Sequence, residues 1–216
     1  MDQSIVDEYL VSRPSKDRAN GTIYVTDLVK PCLRQAYLDI KSPKQYDAST
    51  LRIFEAGRMI EDWWIALLKN TPGYSVLGQQ LATRWPINGG SIHGRVDALC
   101  QHGDGALVVH EVKSAKSLAY MKGEAKPEHV AQLQFYLNVL NVEWGQVDYL
   151  DKSVMLQGGG DAARVDQSFR VQRDPAAFAA LVSRANLLLV ALRADELPMW
   201  TQGWQCDYCL HKEGCK

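Results

Sequence analysis

The sequence predicts a mixed α/β domain in which a central sheet is flanked by helices. Runs of alternating apolar residues bounded by glycine- and asparagine-containing turns recur between residues 75 and 113 and again between 146 and 171, the period of half-buried strands. Apolar spacing, capping residues and helix-opening prolines mark helices over about 49–70, 127–141 and 174–193. Taken together the elements run as helices, three strands, helix, strand, strand, helix, which suits a sheet covered by helices.

In chain order, residues 4–12 read as a short helix whose apolar side is Ile5, Val6, Tyr9 and Leu10, and Arg13 to Gly21 as a polar connection. Ile23-Tyr24-Val25 leads into Thr26-Asp27, residue types that cap helices. Pro31 suits the first turn of a helix that carries Cys32 and ends near Ile40. Ser49 is the expected cap of the long helix to Asn70, with Ile53, Phe54, Gly57, Ile60, Trp64 and Leu67 as its buried face. Strands over 75–85 and 91–100 turn at Asn88-Gly89-Gly90, and Gly103-Asp104-Gly105 turns the chain into a third strand ending at Lys113. Pro127 opens the next helix, strands at about 146–155 and 163–171 join across Gly158-Gly159-Gly160, and Asp174-Pro175 starts the last helix.

A chain of 216 residues supports one sizeable core. The formal charge of −1 advertises no global affinity for nucleic acid, so any such surface must be local. The acidic N-terminus has no signal-peptide core, and an apolar run such as Leu187 to Leu192 is far short of the roughly 20 residues that span a bilayer. A cytoplasmic protein without a membrane partner is expected, its five cysteines reduced, and clustered thiols then suggest metal.

The chemistry concentrates at Gly94-Arg95-Val96-Asp97 and, thirteen residues after Asp97, His110-Glu111-Val112-Lys113. On a strand Glu111 and Lys113 share a face, and an antiparallel neighbour brings Asp97 beside Glu111. Two carboxylates with an amine suit a hard divalent cation and an attacking water that the lysine orients. An exposed hairpin with a solvated Glu111–Lys113 pair is the competing reading of the same residues. Glu61 lies four residues after Gly57 and can reach inward from the long helix, or can pair with Arg58 at the surface. Lys116, Lys122 and Lys126 with Tyr120 between them suit phosphates and a stacked base, or else form a solubilising loop. Gln132 and Tyr136 are four apart and share a helix face. The tail Cys206-x₂-Cys209-x₅-Cys215 offers three thiolates, with Cys32 or His211 as a fourth ligand for zinc or an iron–sulfur cluster. Cys100, on the strand that carries Asp97, reads as plain core.

These motifs together resemble the RecB-like nucleases of the PD-(D/E)XK superfamily, specifically the CRISPR-associated exonuclease family with a four-cysteine iron–sulfur cluster. The resemblance rests on Thr26-Asp27 leading to Cys32, Gly94 to Asp97, Glu111-Val112-Lys113, Gln132 with Tyr136, and Cys206, Cys209 and Cys215. It implies a restriction-endonuclease-like core at about 48–195 in a single nuclease domain over 1–216, with cluster-binding segments at about 26–40 and 200–216. Asp97, Glu111, Lys113, Gln132 and Tyr136 are then catalytic, with Glu61, Asp97, Glu111 and the Val112 carbonyl on Mg²⁺ or Mn²⁺. Cys32, Cys206, Cys209 and Cys215 would hold the cluster, [4Fe–4S] in preference to [2Fe–2S]. The implied activity is exonucleolytic, on single-stranded DNA ends, preparing DNA for a CRISPR array together with the integrase complex. A repair or phage RecB-like nuclease and a non-catalytic DNA-binding module are the rivals. The family's usual histidine before the sheet is absent, and Glu61 stands at that place.

Overall fold

The structure is a computed structural model and describes residues 4–13, 18–43, 45–121, 123–157 and 164–215. Helices span Ile5–Ser12 (α1), Val25–Leu28 (α2), Leu33–Lys41 (α3), Ala48–Asn70 (α4), Pro127–Val139 (α5), Lys152–Gln157 (α6) and Pro175–Ala194 (α7). Strands span Thr22–Tyr24 (β1), Tyr74–Ile87 (β2), Gly90–His102 (β3), Leu107–Ala115 (β4), Trp144–Asp151 (β5) and Asp166–Gln172 (β6). They form one mixed sheet in the order β1-β3-β4-β5-β6, with β2 also paired to β3.

The pairing of β3 sets the geometry of the whole molecule. β2 runs antiparallel along almost its full length. The remaining edge is shared: β1 pairs parallel with Ser91 to His93, and β4 antiparallel with Ala98 to Gln101, leaving Gly94 to Asp97 bonded to neither. Beyond His110, β4 leaves β3 and continues parallel to β5 through Ala115. The sheet therefore forks where the two motif halves face each other.

Two apolar clusters pack the sheet. The larger gathers Val25, Leu28, Ala36 and Tyr37 with Leu133, Phe135, Leu137, Leu181, Ala185 and Leu188 against Ile92, Val96, Val109 and Val147. The smaller sets Ile65 and Leu68 of α4 on Ala98 and Cys100. Helix α7 is long and apolar enough by composition to cross a bilayer, but its Leu181, Ala185, Leu188 and Leu189 are buried in the larger cluster.

Several sequence expectations need correction. In α1 only Leu10 is buried, while Ile5 is 85% exposed and Val6 and Tyr9 are also exposed; the helix is fastened to α4 by the ion pairs Arg13–Glu55 and Arg52–Asp7. Asp47, not Ser49, caps α4, its carboxylate accepting the Thr50 N–H at 2.8 Å, and a carboxylate also complements the positive end of the helix. The buried stripe of α4 starts late. Ile53, Phe54 and Leu67 are exposed, whereas Ile65 and Leu68 are buried, packed on Ala98 and Cys100 of β3. Asp27 does not precede its helix but sits inside it, accepting the Tyr24 N–H at 2.9 Å. Cys32 is the N-cap of α3. The strand expected to reach 155 stops at Asp151, whose carboxylate caps α6 by accepting from the Ser153 and Val154 N–H groups at 2.8 and 3.1 Å. The next strand begins at Asp166 instead of 163. The turn expected at Gly158-Gly159-Gly160 lies outside the described residues, and β1 had no separate place in the sequence reading.

Candidate active site

A cavity of about 440 Å³ opens in the fork, and its lining includes Glu61, Asp97, Glu111, Val112, Lys113, Gln132 and Tyr136. Every residue singled out for catalysis or the catalytic metal thus meets at one place, brought there by β3, β4, α4 and α5.

Each part has a local reason. Where β4 leaves β3, the Val112 N–H loses its ladder partner, and Asp97 Oδ2 accepts from it at 2.8 Å. Asp97 is 8% exposed and Glu111 fully buried. Glu111 Oε1 ion-pairs with the Lys113 ammonium one alternation further along the strand, while its Oε2 has no hydrogen-bond partner among the described residues. Tyr136 Oη accepts from Gln132 Nε2 at 3.1 Å and from the Arg95 N–H at 3.4 Å, so its own proton is left to donate. The glycine at 94 has a steric cause: a Cβ there would stand 2.5 Å from Tyr136 Cε1 and 3.2 Å from Phe135 Cε1. Gly94 and the Gln132–Tyr136 pair are therefore two halves of one contact, β3 against α5.

The electrostatics are those of crowded acids. Burial, then repulsion from Asp97, pushes the Glu111 carboxyl up to about 8, and the same two causes raise Glu61 to about 7. Burial also raises Asp97. Burial alone would lower Lys113, yet Glu111 and Asp97 outweigh it and hold the ammonium above the usual lysine range. Tyr136 is pushed up by burial and by Glu111, which keeps its phenol protonated. Oxygen-only donors that drive one another toward neutrality fit a hard divalent cation. Among the described residues no three potential ligands already stand together as an assembled centre; Lys113 supplies the positive charge at Glu111 meanwhile.

The remaining expectations separate. Val112 donates its N–H to Asp97 Oδ2 and lines the pocket beside Glu111. Lys116 and Lys126 are exposed and do not line the cavity; Tyr120 ends a 3₁₀ turn at Leu118–Tyr120, and Lys122 lies outside the described residues. His129 turns away to Tyr149 Oη at 2.7 Å, and burial lowers it to about 3. Behind the site His110 bonds Asp148 at 2.7 Å, and Trp64 of α4 bonds the same carboxylate at 3.3 Å. Sequence reasoning missed Thr83, His93 and Arg95 in the lining. Arg95 lies inside the recognised motif, but Thr83 and His93 carry no spacing that would have shown them.

Cys32, Cys206, Cys209 and Cys215 line a second cavity, of about 200 Å³. Burial would raise the Cys32 thiol, but backbone N–H donors from Thr201, Gln35 and Arg34 bring it below its ordinary value. Arg34 binds the tail, donating to the Pro198 carbonyl at 2.8 Å and the Cys215 carbonyl at 2.6 Å. His211 pairs with Asp39 at 2.8 Å and does not line this cavity. Four soft donors are the kind that zinc or an iron–sulfur cluster takes, although among the described residues they do not stand together as an assembled metal centre.

A profile of the PD-(D/E)XK nuclease superfamily matches residues 5–216. No curated protein is matched by sequence. Among solved structures, the protein SSO0001 superposes with a TM-score of 0.68 at 23% identity, covering 99% of this chain and 98% of its own. An alkaline exonuclease from Laribacter hongkongensis gives 0.58 at 18%, covering 82% of this chain and 90% of its own. A phage related exonuclease from Haemophilus somnus 129PT gives 0.54 at 15%, covering 76% and 81%. At these identities the likeness establishes a shared fold.

Proposed function

The chain belongs to the PD-(D/E)XK nuclease superfamily, and on that premise we propose that it is a Mg²⁺- or Mn²⁺-dependent DNA exonuclease acting on single-stranded ends. The observation that carries the reading is the convergence of Glu61, Asp97, Glu111 and Lys113 with the Gln132–Tyr136 pair in the fork between β3 and β4. Glu61, Asp97 and Glu111 would hold the ion, which when bound supplies Lewis acidity at the phosphoryl group. Lys113 orients the attacking water and offsets charge growing on a phosphoryl oxygen. Tyr136, held by Gln132 and the Arg95 N–H, donates its proton as a hydrogen bond to the phosphate. Lys116 and Lys126, with Tyr120 and Lys122, would draw the strand in by phosphate contact and stacking. The exonucleolytic mode is supported by the shared fold with the Laribacter alkaline exonuclease, which has also been solved with dAMP.

The cysteine cavity is assigned to an iron–sulfur cluster, [4Fe–4S] in preference to [2Fe–2S], supported by four thiols around one cavity and by the commitment of His211 to Asp39. The order of motifs supports work on DNA destined for a CRISPR array, with the integrase complex as partner. The fold shared with a phage related exonuclease favours a phage or repair setting as the second reading, and genomic neighbours distinguish the two. The deciding assay uses end-labelled single- and double-stranded DNA with Mn²⁺, Mg²⁺ or EDTA. Stepwise shortening of the single strand with either ion, and none in EDTA, is expected; intact DNA in all three would overturn the reading.

A further inference from the structure

Gln80 is the one non-glycine residue inside a described strand that adopts a left-handed backbone, with φ of +52°. Its place in the sheet is specific. Gln79 pairs with Ala98 and Leu81 with Val96, so Gln80 stands opposite Asp97 and is skipped by the ladder. A bulge between Val76 and Gly78 shifts the register just before it. Side chains with a Cβ are disfavoured at such a φ, and a residue persists there only where its surroundings demand it.

The demand is visible at the other end of the side chain. Gln80 Nε2 donates to Glu61 Oε1, while Gln80 Oε1 is buried with no hydrogen-bond partner among the described residues. A strained backbone and an unsatisfied carbonyl are two costs, and the contact made in exchange is with a carboxylate that lines the candidate active-site pocket. A glutamate has three rotatable bonds and needs an external hold to keep its carboxylate in one direction. We propose that Gln80 is a positioning residue that fixes the Glu61 carboxylate toward Asp97 and Glu111, and so completes the ion site from the opposite strand. The inference rests on the metal-dependent reading above.

Glycine accepts positive φ without strain, so Gln80→Gly separates backbone comfort from the amide. In calorimetric titration with Mn²⁺ alone, Gln80→Gly should bind about ten-fold or more weakly, the usual scale for losing a group that orients a ligand. Its denaturant midpoint without ion should stay level or rise. Gln80→Asn, which tolerates the same φ but is one methylene short of Glu61, should show the same weakened binding. In a Glu61→Ala background, Gln80→Gly should cause no further loss, because the two act as a unit. Unchanged Mn²⁺ affinity in Gln80→Gly, beside a clear loss in Glu61→Ala, would overturn the inference, as would fully additive losses. A wild-type protein that binds no Mn²⁺, or binds it equally well after Glu111→Ala, would instead bring down the metal reading on which it rests.

Discussion

The pocket around Glu111 and the cavity around Cys206 are held by different means. The first draws its side chains from β3, β4, α4 and α5, elements anchored in two apolar clusters. The second is closed by residues 200–215, which run in short 3₁₀ turns with Trp204 75% exposed and Tyr208 and Leu210 also exposed. What fastens that segment to α3 is polar: Arg34 to Pro198 and Cys215, His211 to Asp39, and Tyr37 to Asp195 at 2.9 Å. Sheet register therefore preorganises the carboxylates, whereas the segment that carries three of the thiols leaves its large apolar side chains in solvent and is the more readily loosened. Loss of a ligand should disable the first region without unfolding it, and should loosen the second while chemistry continues.

The largest effects test that contrast directly. Glu111→Ala should abolish cleavage and leave the circular dichroism spectrum and a protease-resistant tail intact. Cys32→Ala should do the reverse: bleach any visible absorption of anaerobically purified protein, speed hydrogen exchange over residues 196–215, and spare most cleavage of short single strands. A Cys32→Ala protein whose sheet also melts would break the distinction. Next in size is Gly94→Ala. The added methyl would meet the buried Tyr136 ring at 2.5 Å, and overpacking of this kind costs about 1–3 kcal/mol. Denaturation should show that loss together with a fall in kcat, since Tyr136 is displaced from its two N–H donors.

A smaller effect concerns pH in ion-free protein. Glu61 and Glu111 keep protons up to about 7 and about 8, against 4.5 when unfolded. Their contribution is present at lower pH and is lost as pH rises through those values. His110, where burial is outweighed by Asp148, is raised to about 9 from 6.5, and its contribution is lost in the same direction. His129, lowered to about 3, acts with opposite sign but only below 6.5. The denaturant midpoint should therefore fall steadily from pH 6.5 to 9, and saturating Mn²⁺ or Glu111→Gln should flatten the slope. A midpoint that rises with pH would refute the crowding of acids. The smallest expected change is in Lys116→Ala with Lys126→Ala, where single-strand affinity should drop a few-fold and the salt dependence should lose about one phosphate contact per lysine. Unaltered salt dependence would return these residues to simple solubilising duty.

The candidate pocket was legible in part because several of its pieces are local. Asp97, Glu111 and Lys113 lie within a single hairpin, and Gln132 with Tyr136 about one helical turn apart, so strand and helix periods put each piece on a shared face; joining the pieces to one another and to Glu61 rested on the family resemblance. What periodicity could not reveal was the fork. Nothing in the alternation of residues 91–115 says that β4 abandons β3 after His110, nor that β1 takes the vacated edge. Gln80 was invisible for a related reason: its φ and its bond to Glu61 arise from a register shift in β2 and from an approach of α4. The stripe of α4 misled because spacing tells which residues share a side of a helix, but not which of them another element covers.

The cysteine cavity has one more consequence, in time. Its walls come from residues 32–38 and 200–215, so it has no existence until nearly all of this chain has been made. At ordinary synthesis speeds the interval between Cys32 and Cys215 leaving the ribosome is roughly 10–40 s. During it the sheet, α5 and α7 can already pack, and Cys32 waits as a lone thiol at the start of α3. Whatever the four cysteines would hold could therefore be taken up only after residue 215 is made, when the sheet, α5 and α7 have had time to pack.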